Sequence, residues 1–104
     1  MEPGSIVILH LQNPTEKLWG VLERLNEHGI TMRGLNLSSF DDWIAQAAAE
    51  EGPPAIGLAT MFVPMIRVER LFLDEQVGAV ESYCQRFERR VGQSVYDHLG
   101  MPVP

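Results

Sequence analysis

The sequence contains a single cysteine, Cys84, so no internal disulfide framework can hold the fold together. A chain of 104 residues with 45% hydrophobic side chains does not need one. That length and apolar content build one core, and residues 1–104 read as a single domain. A lone thiol also agrees with a reducing compartment, which makes the cytoplasm the expected location. Basic charge is scarce: eight Lys and Arg stand against fourteen Asp and Glu, for a net charge of −6. The mean field therefore repels nucleic acid and anionic membrane. Long apolar runs are absent too. Ile6 to Leu11 is far too short for a membrane span or a signal peptide, and the residues before it are acidic rather than basic. No membrane association is expected. There is no repeat at solenoid period and no Ser/Gly linker.

Chemical motifs are equally sparse. His10, His28 and His98 have no partners at metal-ligand spacing, so no metal and no cofactor is expected. They read as a strand residue, a turn residue and a helix-end residue. Cys84 falls on an apolar helical stripe with no base to activate it. Ser38, Ser39 and Ser94 suit helix caps, and no nucleophile-elbow pattern surrounds them. The adjacent carboxylates Asp41-Asp42, Glu50-Glu51 and Asp74-Glu75 sit at presumed helix ends facing water, not converging in a pocket. No catalytic residue is assigned, and the chain is not expected to be an enzyme.

What the sequence does have is extended, apolar backbone. Lys17 to Leu37 reads as two strands joined by the turn Asn26-Glu27-His28-Gly29. Ser5 to Gln12 is a nearly continuous apolar run suited to a strand covered on both faces, and Asn13-Pro14 turns it into the hairpin as a meander. Gly20, inside the second strand, marks a bend or the close approach of another backbone. Gly57 to Asp74 reads as two more strands divided at Pro64. Phe40, Trp43, Ile44 and Ala47 follow helical spacing, predicting an inserted helix over about residues 40–51, capped by Ser39 and stopped by Gly52-Pro53-Pro54. Val77, Val80, Cys84, Phe87 and Val91 trace a second stripe, predicting a C-terminal helix over about 77–91 with Asp74 as N-cap and Gly92 as terminator. Ser94 would cap a short final turn, and residues 100–104 would fray. The fold class is α+β: a five-stranded, strongly bent antiparallel sheet or small barrel with two flanking helices.

The element order, with Gly20 and Leu22 in strand two, Leu25 and Asn26 after them, and Ile66-Arg67-Val68 later, resembles the Sm-like (SH3-like) small barrels. That resemblance implies assembly of identical subunits through the strands on either side of Pro64. It also implies an RNA-contacting Asn near position 30, where this chain has Ile30. The missing Asn and the net charge both disfavour RNA.

The leading expectation is a non-enzymatic, self-associating interaction module, a homo-oligomer with interface residues Leu58, Met61, Phe62, Met65 and Phe72. An unidentified protein partner stays open. Met61, Phe62 and Met65 supply adaptable apolar contact, and ordinary core packing is the competing account of them. The second reading is RNA binding through Arg67 and Arg70, with Trp19 and Phe72 as stacking residues. Cross-strand pairing of the arginines with Glu23 and Glu69 is the plainer explanation of that charge. A small-ligand or enzymatic role comes third.

Overall fold

A computed structural model describes residues 1–49 and 55–104. The expected meander is present as β1 (Ile6–Leu11), β2 (Glu16–Asn26) and β3 (Gly29–Asn36). β4 (Ala59–Pro64) and β5 (Val68–Leu73) are separated after Pro64 by a 3₁₀ turn, Met65–Arg67. The five strands form one antiparallel sheet in the order β4-β3-β2-β1-β5. The strands flanking Pro64 are therefore not neighbours. They lie at opposite edges, each paired on one side only.

The sheet can bend because two glycines face each other at its centre. Gly20 pairs with Gly34 across β2 and β3. A Cβ at Gly20 would stand 2.1 Å from the Arg33 carbonyl oxygen and 2.5 Å from the Gly34 Cα, and one at Gly34 would stand 2.6 Å from the Trp19 carbonyl oxygen. No side chain fits between backbones this close. The bend brings Val7, Leu9 and Leu11 of β1, Leu18 and Leu22 of β2, Ile30 and Met32 of β3 and Val63 of β4 into one buried cluster. Val68 and Leu71 of β5 pack against it, so both edges of the sheet reach the same interior. Among the described residues no helix contributes to this side. The sheet is nevertheless not closed, since β4 and β5 share no ladder.

The other side is covered by helices. Ile6, Ile8, Trp19, Val21 and Leu35 pack with Phe40, Trp43 and Ile44 of α1 (Phe40–Ala49), Phe87 of α2 (Tyr83–Val91) and Val95 of α3 (Val95–Leu99). Helix α1 starts at Phe40 as its periodicity predicts, directly after Ser39. The chain first makes a 3₁₀ turn, Leu37–Ser39, whose start is held by the Asn36 side chain accepting from the Ser38 N–H at 3.1 Å. Asn competes well for this position because its short amide reaches the backbone two residues on. The expected stop at Gly52-Pro53-Pro54, and the Glu50-Glu51 pair, lie outside the described residues.

The C-terminal helix is shorter than expected. Residues 77–82 are not helical: Val77 and Val80 exchange backbone hydrogen bonds of 3.1 and 3.0 Å across a tight turn, with Gly78 at φ 58°. Helix α2 begins only at Tyr83, where Ser82 and Gln85 form a reciprocal capping box. That local device outcompetes the longer apolar stripe, because Gly78 readily adopts the left-handed conformation that interrupts a helix. Gly92, at φ 89°, ends α2 and Ser94 caps α3, both as expected. The tail is more ordered than its composition suggests: the Met101 N–H donates to the Tyr96 carbonyl and Met101 packs against the helix-side core.

Gly20→Ala should lower the urea midpoint of unfolding by the equivalent of about 3 kcal/mol or more, since the added methyl meets backbone rather than a side chain that can move. A variant with wild-type stability would show that the two strands can separate without loss.

Candidate interface and its surroundings

The five interface candidates divide into two groups. Leu58 and Phe72 are half-buried against the helix-side core, and Met61 is half-buried against the concave cluster. These three are partly committed to their own subunit. Phe62 and Met65 are exposed, Phe62 to 56%. The Phe62 ring lies over Gly29, where a Cβ would stand 2.8 Å from its Cζ, so the missing side chain makes room for the ring. The same end of the molecule exposes Ile66 to 83%, on the turn between β4 and β5. Sequence reasoning overlooked Ile66, which was absorbed into a strand. It also overlooked Val77 and Val80, absorbed into a helix stripe; Gly78 between them was the available signal.

The two arginines proposed for RNA have different surroundings. The Arg67 guanidinium donates to the Pro14 carbonyl at 2.7 Å and to the Gln12 carbonyl at 3.3 Å, and lies 3.7 Å from Glu16. It clamps the turn after β1 to the start of β5. Arg70 is exposed on β5 opposite His10. The expected partners Glu23 and Glu69 are not used; among the described residues the closest arginine ion pairs are Arg86–Asp41 and Arg89–Glu81, at 2.9 and 2.7 Å. Trp19 is fully buried, with its ring 4.8 Å from Phe40 and 5.3 Å from Trp43, so it offers no stacking surface. Phe72 meets the edge of the His10 ring at 5.0 Å.

Asp74 is where the sheet and the helices are joined. Its Oδ1 accepts from the Tyr83 N–H at 2.9 Å, and its Oδ2 accepts from the Cys84 N–H at 2.8 Å and the Trp19 Nε1–H at 3.1 Å. The carboxylate thus caps α2 from outside its own sequence, satisfying two donors that the helix leaves open while Ser82 takes the third. Burial first, and then the Asp74 charge, push the Cys84 thiol well above its usual range. A thiol held protonated in this way is no nucleophile. Burial, followed by Lys17 and Arg70, lowers the His10 pKa. His28 lies in its turn, and His98, at the end of α3, shares a 3.0 Å hydrogen bond with Gln93 and packs on Phe87. Among the described residues no group of His, Cys, Asp or Glu could hold a metal ion. None of the described helices is long and apolar enough to cross a membrane.

Two concavities adjoin α2. A shallow groove of about 530 Å³ is lined by Thr15, Lys17, Asn36, Ser38, Tyr83 and Arg86, and there the Arg86 charge is met by Asp41. A smaller pocket of about 240 Å³ lies beside β5, between Ile8, Phe72 and the Val77–Val80 turn. It is mostly apolar, with His10, Lys17, Glu75 and Glu81 around it. The serines that line them serve local structure: the Ser82 hydroxyl accepts from the Gln85 N–H, and the Ser38 hydroxyl donates to the Asn36 side chain. No family model, curated protein or solved structure matches this chain.

Asp74→Ala leaves three donors without their acceptor and should cost on the order of 3 kcal/mol in urea unfolding. Cys84 in the native wild type should resist a thiol reagent at pH 8 and react fully once unfolded. Rapid native-state labelling would contradict the protonated, shielded thiol.

Proposed function

We propose that this protein is a non-enzymatic interaction module that self-associates through the strands flanking Pro64. The observation that carries this reading is Phe62, a large aromatic side chain 56% exposed on a six-residue edge strand that, among the described residues, no other element covers. Edge strands present unpaired N–H and C=O groups to any chain that can match them, and folded monomers usually blunt them with lysine, proline or a covering loop. Along β4 only the terminal Pro64 is of that kind, and the neighbouring turn adds exposed Met65 and Ile66 instead of charge. β5 supplies a second free edge of the same length. A bent five-stranded sheet with its two open edges on either side of a short turn also agrees with the Sm-like resemblance, in which identical subunits assemble through these strands.

RNA binding is the weaker alternative. Arg67 is held by main-chain carbonyls, Trp19 is buried, and the net charge is −6.

Light scattering coupled to size exclusion should give a dimer or a larger ring at micromolar concentration. A strict monomer would remove the reading.

A further inference from the structure

We propose that the apolar pocket beside β5 is the seat for Phe62 of a second copy of this chain. The proposal rests on the self-association reading and goes further, because it assigns each edge a distinct part, knob or hole, and fixes which residues meet.

The sheet geometry puts the two features on one face. Phe62 stands opposite Thr31, which shares its side of β3 with Arg33 and with Leu35 of the helix-side core. On β5, Phe72 stands opposite Ile8, also of the helix-side core, and Arg70 opposite His10. When β4 of one copy extends the sheet along β5 of another, side-chain alternation leaves Phe62 beside Phe72 or Arg70, at the mouth of the pocket. A one-residue slip would place it on the opposite face, away from any hole.

The pocket has room for an aromatic ring and an apolar lining to receive it. Its volume is about 240 Å³, and Ile8, Phe72, Val77 and Val80 are among its apolar lining. Those two valines are 69% and 71% exposed in the single subunit. Phe62 is pre-positioned by the space over Gly29, so less side-chain freedom is lost on docking.

Charge favours the same match. Arg33 lies opposite Thr60, and Arg24 opposite Thr31, on the face around Phe62; neither has an ion pair among the described residues. The pocket rim carries Glu75 and Glu81 along with Lys17; Glu81 is already paired with Arg89 at 2.7 Å, so Glu75 is the carboxylate left for such a contact. Attraction between these rims adds direction to an apolar contact. Because knob and hole sit on opposite edges, the contact is head-to-tail, and it propagates until a ring closes.

The test is a mixing experiment on the full chain by light scattering, with circular dichroism confirming that each variant is folded. Phe62→Asp removes the knob and Val80→Asp the hole, and each should weaken assembly at least about thirtyfold, leaving monomers at concentrations where wild type assembles. Val77→Asp repeats the second arm from the other valine. An equimolar mixture of Phe62→Asp with Val80→Asp retains one intact knob and one intact hole, and should form a 1:1 dimer. Monomers in that mixture, or wild-type mass for both valine variants alone, would overturn the knob-and-hole contact while leaving self-association standing. A monomeric wild type would overturn both.

Discussion

The close approach of β2 and β3 at Gly20 and Gly34 is the constraint from which the rest of the molecule follows. A side chain at either position would meet the backbone of the facing strand and hold the central hairpin apart. Bent at this point, the sheet brings side chains from β4 and β5, its two outermost strands, to a single interior cluster. Among the described residues the fold thereby gains a second core to which only strands contribute, on the concave side of the sheet. The same geometry leaves both outer strands with a free edge, because the curl stops short of a ladder between them.

Helices complete the opposite face, and one carboxylate fastens them. Asp74 follows β5 directly and binds Trp19 at the centre of the sheet together with the first two N–H groups of α2. Its three charge-assisted bonds lie in a partly buried site, where such bonds are stronger than in water. The Val77–Val80 turn is the slack between that carboxylate and the helix it caps. Its two valines face solvent because the turn serves the connection and contributes nothing to the subunit's own core. Apolar surface left exposed in this way, near the outermost strand of the sheet, is the feature on which the proposed self-association rests.

Much of the architecture was legible in the sequence because it depends on local pattern. The strands at Ile6, Lys17 and Ile30 show as apolar runs between turn residues, the face of α1 shows as i, i+3, i+4 spacing, and Gly92 and Ser94 announce themselves as terminator and cap. The misread segment, 77–82, carries a helical stripe that tertiary structure does not use; Gly78 and the Ser82–Gln85 box decide the matter through backbone preference. Strand order was harder to read. Nothing local reveals that two strands either side of Pro64 separate to opposite edges, or that Gly34 rather than some distant residue answers Gly20. Of the interface candidates, Phe62 and Met65 are exposed, whereas Leu58, Met61 and Phe72 share their apolar surface with the subunit's own core. Alternation alone cannot distinguish those two fates. The Arg67 guanidinium also holds a turn, a contact visible only once Pro14 is known to be its neighbour.

The proposed assembly pairs the free edges of β4 and β5 between copies of the chain. Amide hydrogen exchange measured across a dilution series addresses those backbone groups directly. Amides within 59–64 and 68–73 that make no bond inside the subunit should become protected as concentration rises, while those of the β2–β3 ladder stay protected throughout. Edge amides that exchange at the same fast rate at every concentration would contradict the account.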